Sequence, residues 1–305
     1  MQHHNHSHSH APADYNRAFA VGVALNLVYI LVEVGYGIAV NSLALLADAS
    51  HNLSDVLGLL LAWGAHHLTK LKPTKRHTYG WRSSSILAAL FNALILLVVV
   101  GGIAWEAIDR LFDPNTIAGM TVVIVASIGV VINTATALLF LKGRHDDLNI
   151  RGAFLHMAAD AGVSVAVVLG GLGIGTLGWL WLDPMLSLLI AVVILVGTWG
   201  MLKDSINLAM QAVPAGIDPA EVNEFLGGLS GVTEVHDLHI WAMSTTETAL
   251  TAHLIIPDQK PKACDQLLHQ AAHELQSRFG IDHTTLQIER SCESANCRQA
   301  SSDVV

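Results

Sequence analysis

The sequence predicts an α-helical membrane protein with six spans, followed by a small α+β domain. Three observations predict it. The 305-residue chain is 52% hydrophobic and only 13% charged, with a mean hydropathy of +0.48, where a soluble domain carries about 25% charged residues. Six apolar stretches each reach the ~20 residues a helix needs to cross a bilayer. The charge is also divided. Residues 1–203 hold 11 Lys+Arg and 11 Asp+Glu, whereas residues 204–305 hold 5 and 14 and carry the whole net charge of −9. A neutral membrane part, solvated by lipid, with an acidic soluble part argues against nucleic acid and anionic surfaces as partners and fits the handling of cations.

The elements follow in order. Residues 1–14 form a tail with five histidines, His3, His4, His6, His8 and His10. It lacks the basic segment, short apolar core and cleavage site of a secretory signal. Asn5, Ser7 and Ser9 interrupt the histidines, and the segment reads as a disordered tail that binds metal weakly. The membrane domain covers 15–206, with spans at 17–40, 43–69, 83–108, 116–141, 152–174 and 179–202. The breaks fall at Asn41-Ser42, 70–82, 109–115, 142–149 and the glycine turn 173–178. With six spans, Arg17, Lys70, Lys72, Lys75, Arg76, Arg82, Lys142, Arg144, Arg151 and Lys203 fall on one side and Arg110 alone on the other. Lysine and arginine collect on the cytoplasmic side, so both termini are expected there. One span more or fewer would scramble that agreement.

Residues 207–290 read as a soluble domain. A short helix at 218–229 has Asp218 as N-cap and Pro219 at its first position. Segments 232–243 and 248–257 alternate like the arms of a hairpin around 244–247. A helix at 261–279 ends at Gly280, and 283–290 is a third strand. The order α-β-β-α-β fits a two-layer, ferredoxin-like domain, and 291–305 is a polar tail. A turn symmetric about Ser244 and Thr245 sets His236 opposite His253, with Cβ atoms ~4.5–5.5 Å apart. Alternation turns His239 to the other face, with Trp241. The three cysteines, Cys264, Cys292 and Cys297, are too few for a disulfide framework and are expected to be reduced in a cytoplasmic domain.

The chemistry concentrates in two words, His51-Asn-Leu-Ser-Asp55 in span two and His156-Met-Ala-Ala-Asp160 in span five. Each sets a histidine and a carboxylate at i and i+4, on one helix face. An ionisable side chain at the bilayer centre costs about 2.5–3.5 kcal/mol even on the insertion scale. Its repetition at one spacing points to a single site built by two helices, rather than to two structural hydrogen bonds. Two imidazoles and two carboxylates make a tetrahedral site for zinc or a similar divalent metal. Asp48, one turn before His51, reads as a cap, an orienting residue or an ion guide. Glu33 in span one must face protein or water, and Asn26, Asn92 and Asn133 read as interhelical hydrogen-bonders. Span five is lined by Ala153, Ala158, Ala159, Gly162, Ser164, Gly170 and Gly171, small residues that permit close helix approach.

These words stand within longer ones: Ser42-Leu-Ala-Leu-Leu-Ala-Asp-Ala-Ser-His51-Asn-Leu-Ser-Asp55, Pro73-Thr-Lys-Arg-His-Thr-Tyr-Gly-Trp81, His156-Met-Ala-Ala-Asp160 and Val235-His-Asp-Leu-His-Ile-Trp-Ala242. Together they resemble the cation diffusion facilitator family, and in particular its bacterial zinc exporters, over nearly the whole chain outside its tails. The resemblance implies a homodimeric antiporter of the bacterial inner membrane. It would export Zn²⁺ in exchange for protons by alternating access, with Co²⁺ or Cd²⁺ as lesser substrates and His51, Asp55, His156 and Asp160 as transport ligands. Relatives with Asp in place of the span-two histidine differ in metal preference. The resemblance also implies zinc in the soluble domain, with Glu289 as the acidic partner of His236 and His253. Some relatives bind a further metal in the loop after span two. Here His77 matches one of those ligands while Thr74 and Trp81 replace the others, so that site is expected to be absent or weak. His66, His67, His283, the pair His269 and His273, and Cys292 with Cys297 are lesser candidates.

Other classes fit poorly. A membrane metalloenzyme needs an open coordination position with a general base or nucleophile, whereas four ligands close this shell. A sensor would need an output domain. An ATP-driven pump would need a P-loop or a phosphorylatable aspartate motif, and neither occurs.

Overall fold

The computed structural model describes residues 13–69, 71–141, 148–257 and 261–290. Six long helices come first: α1 (Ala13–Ala39), α2 (Leu43–Thr69), α3 (Ser84–Phe112), α4 (Gly119–Phe140), α5 (Leu148–Leu177) and α6 (Leu182–Ala209). Among the described residues four stretches are long and apolar enough to cross a membrane: Ser84–Phe112, Gly119–Leu139, Phe154–Leu177 and Leu182–Ala209. The protein is an integral membrane protein on that ground. The apolar part of α1, Val23–Ala39, is shorter, and α2 dilutes its apolar run with Asp48, His51 and Asp55. The glycine turn expected at 173–178 is smaller than that. Gly173 and Gly175 are helical, and the chain reverses only at Gly178, with φ +71°.

Two compact units form. One comprises the chain up to Leu60 together with Asn92–Trp199; the other comprises Leu61–Phe91 and the chain from Gly200 onward. In the first, Leu45, Ala47, Leu96, Val122, Ala126, Val167, Ile190 and Ile194 form a buried core. Side chains pointing away from it, such as Val98, Trp105, Phe112, Val131, Leu169 and Val196, are exposed and apolar, as a lipid-facing surface requires. Lipid supplies no hydrophobic drive between helices, so close packing and polar contacts must hold them. Both occur. Backbones of α4 and α5 touch where a Cβ on Gly119 would lie 2.5 Å from the Gly175 nitrogen and 2.6 Å from the Gly171 oxygen. At the same end of the bundle, the buried Asp183 of α6 accepts hydrogen bonds from Ser42 Oγ (2.5 Å) and from the amides of Leu43 (2.8 Å) and Ala44 (3.3 Å). It thereby caps the open N-terminus of α2. Arg110, at the end of α3, donates to the carbonyl and side-chain oxygens of Asn41, both at 2.7 Å, and Asn41 turns the chain with φ +58°.

The second unit holds α7 (Pro219–Gly227), β1 (Glu234–Ala242), β2 (Thr248–Ile255), α8 (Pro261–Phe279) and β3 (His283–Glu289). Asp218 caps α7 through the Ala220 amide at 2.8 Å, with Pro219 next, and α8 is followed by Gly280 at φ +67°. The sheet order is β1-β2-β3, with β1 and β2 antiparallel and β2 and β3 parallel. Val222 and Leu226 of α7, Leu267 and Leu275 of α8, and Leu238, Leu250 and Leu254 of the sheet share one core. The segment between α2 and α3 belongs to this unit. Thr245 N donates to Ser85 Oγ at 3.1 Å, and Arg82 pairs with Glu247 at 3.4 Å.

The hairpin register corrects one expectation. His236 does face His253, but from His239 onward the pairing is shifted by one residue, so that His239 faces Thr251. The extra residue is a bulge at Asp237, which has φ +52°, a conformation that Asp tolerates better than most side chains. Leu250, Ala252 and Leu254 point into the core, so Thr251 and His253 lie on the opposite face. His236 and His239, their partners, therefore share one face, and simple alternation fails across the bulge.

Candidate metal centre

Helix α2 supplies His51 and Asp55, and α5 supplies His156 and Asp160. The two pairs meet. His51 Nε2 lies 3.2 Å from Asp160 Oδ1 and 3.9 Å from Asp55 Oδ2. His156 Nε2 lies 3.1 Å from Asp55 Oδ2 and 3.7 Å from Asp160 Oδ2. Each imidazole thus addresses the carboxylate of the other helix more closely than its own. Four ligand atoms around a tetrahedral zinc, each ~2.0–2.1 Å from the ion, stand ~3.3 Å apart, and these four separations bracket that value. Ligand atoms of His51, Asp55 and Asp160 lie within 4.8 Å of one another, and His156 reaches the same two carboxylates from the other side, its ring 6.0 Å from that of His51. Asp160 Oδ2 is buried with no hydrogen bond among the described residues, and Asp55 Oδ2, equally buried, has the His156 imidazole beside it. Buried acceptors aimed into a histidine cluster suit a cation.

The cluster is unevenly exposed. Asp160 is 1% exposed, whereas Asp55 and His156 side chains are 30% and 41% exposed. One turn toward the Asn41 end of the bundle, Asp48 and Ser164 are buried, and Ser164 Oγ donates to Asp48 Oδ2 at 3.3 Å; Asn52, next to His51, is buried as well. Glu33, also buried, accepts from Tyr29 Oη at 2.8 Å. Glu33 thus faces protein, as its charge demanded. Asn26, Asn92 and Asn133 are buried too, but both amide atoms of Asn133 and the oxygen of Asn26 find no partner among the described residues. Interhelical bonding among the described residues does not account for the Asn133 side chain.

A second cluster stands on the outer face of the sheet. His236, His253 and Glu289 present ligand atoms within 4.8 Å of one another. His253 Nδ1 is 2.9 Å and His236 Nε2 3.6 Å from the Glu289 carboxylate, and the two rings are 5.1 Å apart. Gln287 Nε2 donates to Glu289 Oε1 at 2.9 Å. The bulge adds a residue that reasoning from sequence missed. Asp237 reaches His239 Nε2 at 3.0 Å and His253 Nε2 at 3.7 Å.

The lesser candidates separate. His77 stacks on Trp81 at 4.3 Å, and Thr74 Oγ1 accepts from its backbone amide at 3.0 Å. His269 and His273 lie on the exposed side of α8. His283 packs edge-on against Tyr79, 5.5 Å away. The side chains of His66 and His67, the His-rich tail, and Cys292 with Cys297 lie outside the described residues.

Comparison with known proteins agrees with this layout. Residues 19–208 match the family model of the cation efflux transmembrane domain, and residues 214–291 match that of the cation efflux protein cytoplasmic domain. The metal cation efflux system protein CzcD of Cupriavidus metallidurans is 36% identical over 289 residues, covering 94% of this chain and 91% of the relative. The zinc transporter ZitB of Escherichia coli is 36% identical over 301 residues, 96% of this chain and 94% of its own. A cadmium, cobalt and zinc/H(+)-K(+) antiporter of Bacillus subtilis is 35% identical over 264 residues, 86% of this chain and 85% of its own.

Proposed function

This chain belongs to the cation efflux family, and from that premise we propose that it exports Zn²⁺ from the cytoplasm in exchange for protons. The observation that carries the proposal is the crossing of the two His-x-x-x-Asp words into one four-ligand cluster, His51, Asp55, His156 and Asp160. Four ligands close the shell around the ion and leave no position for an activated water, so the site holds and releases a cation rather than performing hydrolysis. Neutral imidazoles and ionised carboxylates bind the metal, and protons displace it because the ligands must be deprotonated to bind. The family is one of transporters, and metal cations are its cargo.

The finer reading is as follows. All six long helices cross the inner membrane of a bacterium, with both termini in the cytoplasm and the soluble domain, 207–290, of ferredoxin-like layering. In that orientation the Asn41 end faces outward, so the exposed side of the cluster opens to the cytoplasm. Two chains associate through the cytoplasmic domain, whose family model bears the name ZT_dimer, and His236, His253 and Glu289 hold a second, non-transported Zn²⁺. Imidazole ligands favour Zn²⁺ over harder cations, with Co²⁺ and Cd²⁺ as weaker substrates, in line with the names of the relatives. The test is metal flux in reconstituted vesicles across Zn²⁺, Co²⁺ and Cd²⁺, with pH and K⁺ gradients imposed separately. Zn²⁺ should move fastest and follow the pH gradient. Flux that ignores the pH gradient and follows K⁺ alone would refute proton exchange.

A further inference from the structure

One buried group plays no part in the metal site and carries ionisable chemistry of its own. Glu33 of α1 and Asp48 of α2 are both 0% exposed, and their carboxyl groups interact within one buried polar cluster with Tyr29, Asn52 and Ser164. Each has one oxygen satisfied, Glu33 Oε1 by Tyr29 Oη at 2.8 Å and Asp48 Oδ2 by Ser164 Oγ at 3.3 Å. Each has one buried oxygen, Glu33 Oε2 and Asp48 Oδ1, that makes no hydrogen bond of good geometry among the described residues, the Asn52 amide being the donor beside Glu33. Facing groups from each packed element are known. Helix α1 brings Tyr29, α2 brings Asn52 and, one turn away, His51, and α5 brings Ser164 and, one turn away, Asp160. Helix α4 presents Gly129 to the Tyr29 hydroxyl and has no titratable residue along its length. No lysine or arginine among the described residues pairs with either carboxyl.

Two adjacent carboxylates in a dry site cannot both be ionised. One proton between them supplies the missing donor for both orphaned oxygens at once and halves the buried charge. Resting on the transport reading above, we propose that Glu33 and Asp48 form a proton-binding site, a carboxylic acid paired with a carboxylate, one helical turn beyond the metal ligands and coupled to their charge. The pair keeps its proton while the four-ligand cluster is empty. Entry of a divalent cation adds two positive charges one turn away, favours the doubly ionised pair, and releases that proton to solvent. No bond changes other than the O–H bond. By linkage, a proton on the pair weakens metal binding by the same factor. One proton beyond those displaced from the ligands is thus held at a place distinct from them.

The test uses the full-length protein in lipid, metal-free and with Zn²⁺. Infrared difference spectra report a protonated carboxyl directly, and calorimetry in buffers of different ionisation enthalpy counts protons released per Zn²⁺. Near neutral pH the metal-free wild type should show a carboxylic acid band that Zn²⁺ removes. Glu33→Gln and Asp48→Asn should each lack it, still bind Zn²⁺, and release about one proton fewer per ion. Tyr29→Phe, a milder change, should keep the band but shift its frequency, which decides the matter where a carboxyl variant does not fold. Asp160→Ala should keep the band even with Zn²⁺ binding lost, so that failure of the transport-site reading is told apart from failure of this one. A wild type without the band, a band indifferent to Zn²⁺, or an unchanged proton count in both carboxyl variants would overturn the proposal.

Discussion

His51 Nε2 stands 3.2 Å from Asp160 Oδ1, on another helix, yet 3.9 Å from Asp55, four residues along its own. His156 mirrors this, nearer to Asp55 than to Asp160. The site is therefore a property of the α2–α5 pairing and not of either helix alone. A metal ion held there would tie the two helices together.

Removal of one ligand should disable the site while leaving the fold. Asp160→Ala deletes a carboxylate that both histidines address. Zn²⁺ affinity should fall by more than the ~10–100-fold typical of outer-shell changes, as read by competition with a fluorescent chelator. Unchanged affinity would place the ion elsewhere.

Metal preference should follow ligand hardness. His51→Asp replaces a nitrogen donor with an oxygen donor, and oxygen-rich sites favour harder cations such as Mn²⁺. Flux assays across a metal panel should show the ratio of Zn²⁺ to Mn²⁺ transport falling by at least about tenfold, a change of ~1.4 kcal/mol in relative binding.

Binding should weaken as the pH falls. The metal needs both imidazoles neutral, and an ordinary histidine protonates near pH 6.5. Below that range, apparent affinity should drop about tenfold per pH unit for each proton displaced. Isothermal titration from slightly alkaline to slightly acidic pH checks the sign; affinity that rises on acidification contradicts it.

The cap on α2 should matter to stability more than to chemistry. Asp183→Ala strips acceptors from Ser42 and from the Leu43 and Ala44 amides. Leaving buried donors unmet costs about 1–3 kcal/mol each, so the melting temperature should drop. Asp183→Asn keeps one acceptor oxygen and should lose less. Equal melting temperatures for the two variants would show that the carboxylate does not cap the helix.

Backbone contact between α4 and α5 should forbid side chains at Gly119. A Cβ there meets Gly175 and Gly171 backbone atoms rather than a flexible side-chain end. Gly119→Val should cost at least the ~1–3 kcal/mol of overpacking, seen as reduced thermal stability or yield. Gly162→Ala, where a Cβ meets nothing within 4 Å, should be silent.

Much of this was legible in the chain. Helix limits at Asn41, Gly178 and Gly280 announce themselves through residues that accept a left-handed backbone. The repeated His-x-x-x-Asp spacing points to the candidate site, because few other reasons keep a histidine and a carboxylate at one spacing in two apolar spans. Three features stayed hidden, each because it depends on packing between elements. Gly175 looks like a turn residue but is a helical one made necessary by Gly119. Asp237 reads as a plain strand residue, and nothing local signals the bulge that returns His239 to the face of His236. Glu33 and Asp48 lie 15 residues apart in sequence, and their place in one buried polar cluster follows only from how the helices pack.

The central claim, one dication gripped jointly by α2 and α5, is tested most directly by anomalous diffraction at the zinc edge from Zn²⁺-loaded protein. The account predicts one strong peak within bonding distance of His51, Asp55, His156 and Asp160 together, absent from Asp160→Ala. A peak confined to the soluble domain in the wild type, or one bound by a single helix, would contradict it.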